Sequence, residues 1–179
     1  MKVRLDTFQN NYKKRSKLLI VLWTIFHAIF FDTSIPWPSF IKKFLLCLFG
    51  AKIGSNLVIK PRVKIKFPWN LEIGNHVWIG ENSWIDNLAM VSIKDHVCIS
   101  QGAMLLTGNH NYKTESFDLI VGEIVLKDGV WIGAKSVVCP YIVCHENSVL
   151  AVASVATSDL NENTIYQGNP AVSKRKRID

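Results

Sequence analysis

The feature that most constrains this chain is a six-residue repeat, which runs from Ile73 to Ala156. An aliphatic or small residue occupies the first place of each hexad, at Ile73, Ile79, Ile85, Ile93, Ile99, Leu105, Leu126, Ile132, Val138, Cys144, Leu150 and Ala156. A second set of small or β-branched residues follows at Val77, Ser83, Ala89, Val97, Ala103, Val130, Ser136, Ile142, Ser148 and Ser154. A period of six fits neither an α-helix nor an isolated two-sided strand. It predicts a coil of short parallel strands, three hexads to a triangular turn, whose turns are stable because they stack.

An ordinary β-sandwich would need all these in-phase hexads to arise by chance, so we favour the coil. The segments Ile73-Gly74-Asn75-His76-Val77-Trp78-Ile79-Gly80 and Val130-Trp131-Ile132-Gly133-Ala134 resemble the hexapeptide-repeat acyltransferases. That resemblance implies an all-β fold, a left-handed parallel β-helix. The spacing itself predicts the coil but not its hand. The left hand that the resemblance implies is opposite to the right-handed preference of most parallel crossover connections.

The N-terminal part of the chain predicts helices. We expect residues 1–50 to form a helical segment, with residues 1–17 poorly ordered or helical only on contact, and residues 51–179 to form the β-helix domain. The apolar run 18–31 is shorter than the roughly twenty residues of a bilayer span, and no signal-peptide cleavage site follows it. It is either a helix packed on the coil or a helix half-sunk in the inner face of a membrane, with basic residues 13–17 on lipid phosphates. A second helix is predicted from Pro38 to Phe49, before Gly50.

The repeat is interrupted between residues 106 and 123, where we expect an extruded loop that carries function. His110 lies in this loop and is our candidate general base. An imidazole takes a proton from an attacking sugar hydroxyl and returns it to the leaving thiolate of a thioester. One ring nitrogen must then be held by an acceptor, for which a backbone carbonyl, Asp86 and Asp118 are the alternatives. We expect His76 and His96 to stack as corner residues and the remaining histidines, at positions 27 and 145, to be structural.

Charge and cysteine content narrow the classes of partner. The 179 residues carry a net charge of +7, which favours anionic partners such as a phosphorylated cofactor or anionic lipid. No nucleic-acid-binding motif is present, so we expect no nucleic acid partner. The four cysteines show no metal-ligand spacing, so we expect reduced thiols, no bound metal and a cytoplasmic protein. No serine or cysteine stands beside His110 as a nucleophile, which favours direct transfer over a covalent acyl-enzyme.

A closer resemblance covers nearly the whole chain after residue 15. Residues 73–112, 128–135, 45–54 and 168–170 are similar to the colanic-acid-type exopolysaccharide O-acetyltransferases, and more distantly to the maltose and galactoside acetyltransferases. The likeness implies that His110 is the catalytic base and that acetyl-CoA is the co-substrate. It implies cofactor contacts at Trp131, Ala134, Val152, Thr157 and Arg175. Because Ser158 and Val172 depart from the pattern, Lys174 or Lys176 is a further candidate for phosphate contact.

Three short polar residues precede the loop by one turn of the coil. Asn82, Asp86 and Asn87 either bind acceptor hydroxyls or form hydrogen bonds at corners, as Asn and Asp do in turns. The resemblance also implies a homotrimer with its site between adjacent coils. Flat coil faces that carry Trp78, Trp84 and Trp131 would offer apolar surface for such contacts.

The leading hypothesis is therefore an acetyl-CoA-dependent O-acetyltransferase acting on a sugar hydroxyl in exopolysaccharide, capsule or O-antigen biosynthesis. The alternatives are N-acetylation of an amino sugar and a non-enzymatic, membrane-docked scaffold of a glycan-assembly complex. A zinc hydratase of the same fold is disfavoured, since the chain has no close His-x-x-x-x-His pair.

Overall fold

The computed structural model describes residues 2–8, 12 and 15–177. Two α-helices, α1 (Lys17–Phe30) and α2 (Ser39–Leu48), precede a coil of short parallel strands. Short 3-10 turns lie at Leu5–Thr7 and Pro68–Asn70. Lys13 and Lys14, part of the predicted lipid-binding cluster, lie outside the described residues.

The coil has three faces, each a sheet of parallel strands, and the chain contributes one strand to each face in turn. The last strand of the second face, β19 (Ala171–Lys176), is the antiparallel exception. The first face contains β1 (Lys52–Ile53), β4 (Leu71–Ile73), β7 (Val91–Ile93), β12 (Ile124–Leu126) and β15 (Val143–Cys144). The second contains β2 (Val58–Ile59), β5 (Trp78–Ile79), β8 (Cys98–Ile99), β13 (Trp131–Ile132), β16 (Val149–Leu150), β18 (Thr164–Gly168) and β19 (Ala171–Lys176). The third contains β3 (Lys64–Ile65), β6 (Trp84–Asp86), β9 (Met104–Leu106), β14 (Val137–Val138) and β17 (Val155–Ala156). A separate antiparallel hairpin pairs β10 (Gly108–His110) with β11 (Leu119–Val121).

The repeat explains the core of the coil. Every residue in the first place of a hexad is buried, from Ile73 to Ala156. The second set is buried as well, apart from Ala89, which is half-exposed. Each turn therefore directs its aliphatic side chains to the axis and stacks them on those of its neighbours. The predicted coil of hexapeptide repeats is confirmed.

The length of a turn changes along the coil, and the difference arises at one corner. Ile79 pairs with Ile99, twenty residues later, whereas Ile132 pairs with Leu150, eighteen residues later. The two additional residues lie where the chain passes from the third face to the first, a position that we call the third corner. Residues 107–123 leave the coil at the same corner, between β9 and β12. The extruded loop thus replaces a corner that was already enlarged in the two preceding turns.

The helices close the exposed edge of the first turn. The Ile65 N–H donates to Nε2 of His27 at 3.1 Å, and the Ile65 carbonyl accepts from Nε1 of Trp23, also at 3.1 Å. Ile59 has the same kind of partners: its N–H donates to Oγ of Ser39, and its carbonyl accepts from Nζ of Lys42. Edge strands with free N–H and C=O groups invite aggregation. Here side chains of α1 and α2 supply the donors and acceptors that another strand would have supplied.

These roles fix the state of two buried side chains. Nε2 of His27 accepts a hydrogen bond, so the ring is neutral, and burial lowers its pKa. Lys42 is completely buried, and burial lowers its pKa too. Both are structural residues of the cap. His76 and His96 stack at the corners of successive turns, with ring centroids 4.9 Å apart and planes inclined by 2°.

The basic C-terminal tail is a strand. β19 pairs antiparallel with β18 and so extends the second face, with a bulge near Lys174 where the register shifts. Beyond it, Nη1 of Arg177 donates to the carbonyl oxygens of Gly129 and Asn147, at 2.7 and 3.1 Å. The tail is therefore held against the coil.

α1 packs on the coil through Trp23, as one of the two sequence interpretations predicted, and leaves its opposite face exposed. Within the described residues, neither helix has the length and apolarity needed to cross a membrane.

Candidate active site

His110 is the last residue of β10, and its ring is held by the hairpin that contains it. It pairs with Leu119 across the hairpin, and its Nδ1 lies 2.9 Å from the carbonyl oxygen of Phe117. The Phe117 ring stacks on the imidazole, with centroids 4.4 Å apart and planes inclined by 5°. The Phe8 ring lies 5.8 Å away on a tilted plane.

The contact with Phe117 decides the tautomer of His110. A carbonyl oxygen only accepts hydrogen bonds, so Nδ1 must carry the proton and donate. In the neutral ring Nε2 then holds a lone pair, and no hydrogen bond to Nε2 is found among the described residues. The sequence left three acceptors open for this ring. The structure selects the backbone carbonyl, because the Asp118 carboxylate instead accepts from the hydroxyls of Ser116 and Thr114.

A cleft of about 380 Å³ opens beside this imidazole, and we call it the acceptor cleft. It is lined by His110, Phe8, Tyr12, Lys66, Asp86 and Leu119, among others. Residues 1–17 were expected to be poorly ordered or helical only on contact. Of the described ones, Phe8 and Tyr12 lie in this wall, and the Arg4 N–H donates to the Glu115 carbonyl at 2.8 Å. The N-terminal residues thus line a site that the sequence analysis built from the loop and the preceding turn of the coil.

An ion pair lies on the floor of the acceptor cleft. Nζ of Lys66 is 2.7 Å from Oδ1 of Asp86, whose side chain is 16% exposed. Oδ1 itself is buried, and the Lys66 ammonium compensates its charge. The part of the Asp86 side chain that remains exposed lines the cleft, where a carboxylate is suited to accept a hydrogen bond from a bound hydroxyl.

A neighbouring cleft of about 290 Å³ shares Lys66 and Asp86 with the acceptor cleft. Trp23, His27 and Trp84 form its other walls, between α1 and the third face. The two clefts together give a groove that runs from His110 towards α1.

Two of the predicted acceptor contacts lie elsewhere. Asn87 is completely buried; its amide accepts from the Phe67 N–H at 2.9 Å and donates to the carbonyls of Phe67 and Asn70. It is a corner residue, because no part of the amide is left for a ligand. Asn82 is exposed at the opposite end of β6 from Asp86, with φ of 59°, and lines neither cleft. Within one chain, Asp86 is therefore the one of the three residues that lines the acceptor cleft.

A third cleft, of about 500 Å³, lies on the second face, and we call it the tryptophan cleft. It brings together four of the residues predicted to contact the cofactor, namely Trp131, Ala134, Val152 and Arg175. The Trp131 indole is 46% exposed and donates from Nε1 to Oγ of Ser100 at 2.9 Å. Ser100 was missed by the sequence analysis, because its place in the hexad marks it only as a corner residue.

The remaining two predicted cofactor residues do not join the tryptophan cleft. Thr157 is exposed just after β17, at the third corner. Lys174 is exposed at the bulge of β19 and does not line the cleft, whereas its neighbour Arg175 does.

The acceptor cleft and the tryptophan cleft lie on different sides of the coil. The first opens at the third corner, whereas the second lies on the second face, and the width of the third face separates them. One copy of the chain therefore does not place His110 beside Trp131.

Three cysteines that are partly or fully buried offer no nucleophile near either cleft. Burial raises the pKa of Cys144 to about 12, and it also raises the pKa values of Cys98 and Cys139. These groups are thiols near neutral pH and not the reactive thiolates. The described residues contain no group of three or more His, Cys, Asp or Glu side chains arranged to hold a metal ion.

Comparison with known proteins identifies the family. No protein-family model matches the chain. The chain is 33% identical over 168 residues to WcaF of Escherichia coli (strain K12), which is named as a colanic acid biosynthesis acetyltransferase, and the match covers 94% of this chain and 92% of WcaF. The chain belongs to the hexapeptide-repeat acetyltransferases. This acetyltransferase is also 28% identical over 123 residues to galactoside O-acetyltransferase of E. coli (strain K12), a match that covers 67% of this chain and 61% of that protein. The resemblance predicted from the sequence is confirmed, and the protein is an acyltransferase enzyme.

Solved structures agree on the fold. A hexapeptide-repeat-containing acetyltransferase from Vibrio cholerae O1 biovar eltor, complexed with acetyl coenzyme A, has a TM-score of 0.81 at 23% identity and covers 91% of this chain and 89% of its own. A galactoside acetyltransferase in complex with coenzyme A has a TM-score of 0.79 at 22% identity and covers 92% and 84%. The fold of this acetyltransferase is the left-handed parallel β-helix.

Proposed function

We propose that this acetyltransferase moves an acetyl group from acetyl-CoA to a sugar hydroxyl during exopolysaccharide, capsule or O-antigen biosynthesis. The names of its relatives support the proposal: one is assigned to colanic acid biosynthesis and another to galactoside O-acetylation. Two structures of the same fold hold acetyl coenzyme A or coenzyme A. The observation that carries the chemistry is the hydrogen bond from Nδ1 of His110 to the Phe117 carbonyl.

That hydrogen bond prepares His110 to act as a general base. The lone pair of Nε2 removes the proton of the sugar hydroxyl as its oxygen attacks the thioester carbonyl. The tetrahedral intermediate then breaks its carbon–sulfur bond, and Nε2 returns the proton to the departing thiolate. The products are the acetyl ester and free coenzyme A, and His110 regains its starting state. The carbonyl of Phe117 keeps the ring oriented and stabilises the imidazolium formed between the two proton transfers.

The acceptor is proposed to bind in the acceptor cleft. Asp86 accepts a hydrogen bond from a sugar hydroxyl through the part of its carboxylate that lines the cleft. Aromatic rings are frequent in sugar sites because they pack on the apolar side of a pyranose, and Phe8 and Tyr12 line the same cleft. Direct transfer in a ternary complex agrees with the absence of thiolate character at Cys98, Cys139 and Cys144.

Acetyl-CoA is proposed to bind in the tryptophan cleft. The long, largely apolar cleft suits the pantetheine arm, and the Trp131 ring provides a flat apolar wall. Arg175 supplies the positive charge that a coenzyme phosphate requires. Thr157 and Lys174 lie outside the cleft of one chain, so a contact from either residue would have to be made in an assembly.

The separation of the two clefts favours a homotrimer as the working assembly. His110 of one copy would face the tryptophan cleft of the next, and a cyclic arrangement repeats that contact three times. The exposed indoles of Trp78, Trp84 and Trp131 on flat faces provide apolar surface for it. The complete site then belongs to no single chain.

Subunit complementation tests the reaction and the assembly together. His110→Ala removes the base, and Ala134→Glu blocks the tryptophan cleft, so each variant alone is expected to be inactive on a hydroxy-sugar panel with acetyl-CoA. Mixed trimers from co-expression should regain about a quarter of the wild-type sites. Each site needs an intact His110 from one subunit and an intact tryptophan cleft from the next, and each of these is present in about half of the subunits. Zero recovery, with mixed assembly verified by two affinity tags, would place both halves in one chain and overturn the shared site. Product formed only from amino sugars would replace O-acetylation by N-acetylation.

We further propose that the enzyme works in the cytoplasm, at the inner face of the membrane, where residues 13–31 contact anionic lipid. The exposed apolar side of α1 supports this placement.

A further inference from the structure

The helical cap carries an apolar surface that the fold does not use. On α1, Leu18, Leu22, Ile25 and Ile29 are exposed at positions that form one stripe along a helix. On α2, Phe40, Phe44 and Leu48 are exposed at the same kind of spacing. We call these two stripes together the cap face. A helix that is apolar on both sides normally lies inside a larger assembly or in contact with lipid.

The inner sides of the same helices are already occupied. Trp23 and Phe31 are buried on the α1 side, Leu45 and Leu46 on the α2 side, and Trp23 and Lys42 bond to the first turn of the coil. The helices are therefore packed on the coil through their inner sides, and the cap face is the outer side that remains exposed. Its side chains point away from the only core that the described residues form.

Basic residues predominate beside the cap face. Residues 7–71 contain eleven Lys and Arg residues and a single acid, Asp32. Lys52 and Lys66 pair with Glu72 and Asp86 of the next turn, and the segment keeps an excess of positive charge after these two pairs are counted. Among the described members, Arg15 and Lys17 are exposed at the start of α1, and Lys60, Arg62 and Lys64 are exposed on the first turn beside the cap.

We propose that the cap face is an interfacial binding surface for an anionic phospholipid bilayer. α1 and α2 lie in the interface with their apolar stripes among the acyl chains, while Arg15, Lys17 and the basic residues of the first turn contact lipid phosphates. The surface is wider than residues 13–31, because it includes α2 and the first turn of the coil. It does not depend on the proposed catalytic site.

A second copy of the chain is the competing occupant of the cap face. Packing cap against cap would bring two surfaces rich in exposed basic residues together, and like charges repel. An anionic bilayer provides the opposite sign together with an apolar interior. The charge distribution therefore favours lipid.

Vesicle flotation of the full-length protein tests the apolar half of the proposal. The protein should float with vesicles of equal parts phosphatidylcholine and phosphatidylglycerol and much less with phosphatidylcholine alone. Ile25→Asp should weaken partitioning by about tenfold or more, since it removes one buried aliphatic side chain and adds a negative charge. Val172→Asp is the matched control, because Ile25 and Val172 are both 52% exposed but Val172 lies on β19. Equal loss in the two variants, or no loss in Ile25→Asp, would overturn the proposal.

Charge reversal tests the electrostatic half. Arg15→Glu with Lys17→Glu should lower partitioning by at least about 25-fold, taking a factor of about five per basic residue near the surface. Lys94→Glu with Lys113→Glu makes the same change away from the cap and should have little effect. Melting temperatures establish that each variant is folded. Unchanged flotation of the Arg15 and Lys17 variant would overturn the proposed contact of these residues with lipid phosphates. Concentration-dependent pairing of trimers without vesicle binding would assign the cap face to a second copy instead.

Discussion

Phe117 holds the His110 imidazole through two contacts, one from its backbone carbonyl and one from its ring. The Phe117 carbonyl accepts from Nδ1 of His110 at 2.9 Å, and the Phe117 ring stacks on the imidazole at 4.4 Å. Phe117 has φ of 51°, a region that phenylalanine seldom adopts and that is common at functional sites. The turn that directs this carbonyl towards His110 therefore also places the ring beneath it. Orientation and tautomer of the proposed base have the same structural origin.

The first prediction concerns this base. His110→Ala should lower kcat by about two to four orders of magnitude, because the hydroxyl loses the group that accepts its proton. The dissociation constant of acetyl-CoA, measured by calorimetry, should hardly change, since the proposed contacts of the coenzyme are made by Trp131 and Arg175 and not by the base. His145→Ala is the control, being a partly exposed corner residue whose loss should leave kcat unaltered. Wild-type turnover in His110→Ala would exclude the role.

The second prediction concerns phosphate recognition. Arg175→Ala should weaken coenzyme A binding by about tenfold or more, the effect of losing a hydrogen bond to a charged group. Lys174→Ala removes the same charge from the next residue, which lies at the bulge outside the cleft, and should change affinity by no more than about twofold. Titration calorimetry measures both. If the two variants lose affinity equally, the effect is one of net charge and Arg175 has no specific contact.

The third prediction concerns acid stability of the cap. Burial lowers the pKa of His27 in the folded protein, so the unfolded chain takes up a proton first as the pH falls. The stabilisation is complete above about pH 6.5 and is lost as the pH drops from there towards the folded pKa. The melting temperature should therefore be lower at about pH 5 than at about pH 7.5, beyond what the carboxylates contribute.

His27→Gln tests the origin of that pH dependence. The glutamine carbonyl is able to accept from the Ile65 N–H and does not titrate, so the variant should show a smaller change of melting temperature over the same pH range. A difference as large as in the wild type would mean that His27 is not the group responsible.

The fourth prediction separates the two asparagines. Asn87→Ala leaves the Phe67 N–H and the Asn70 carbonyl without the Asn87 amide, while the Phe67 carbonyl keeps the Asn70 N–H. The substitution should cost about 1–3 kcal/mol, or a melting temperature about 2–10 °C lower. Asn82→Gly preserves the positive φ at an exposed position and should change the free energy of unfolding by less than about 0.5 kcal/mol. Thermal melts followed by circular dichroism distinguish the two. An equal, small effect would show that the Asn87 amide contributes little to the corner.

The sequence was sufficient for the coil because its information is local and repeated. Ile73, Ile79 and Ile85 recur at intervals that only a triangular coil buries on one axis, and the structure buries all of them. The same reasoning located the loop that contains His110, since a break in a regular period is visible without a structure. It also marked His76 and His96 as stacked corner residues.

The tertiary structure alone decided which side chains that face away from the axis come into contact. Asn82, Asp86 and Asn87 are neighbours in sequence and chemically alike, yet Asn82 and Asp86 fall at opposite ends of β6 and Asn87 turns inward. Nothing periodic in the sequence marks Phe117 or Phe8, because neither belongs to a hexad. Their roles arise from where the hairpin and the N-terminus fold back.

What the sequence determined by itself is the β-helix, its interrupted turn and the identity of the proposed base, because a hexad specifies which side chain faces the axis. What only the tertiary structure decided is the environment of that base and the division of the site into two clefts on different sides of the coil. The physical reason is that a six-residue period specifies burial at each position but not which outward side chains meet across a corner. Those meetings depend on turn length, and the turns change from twenty residues to eighteen along this chain.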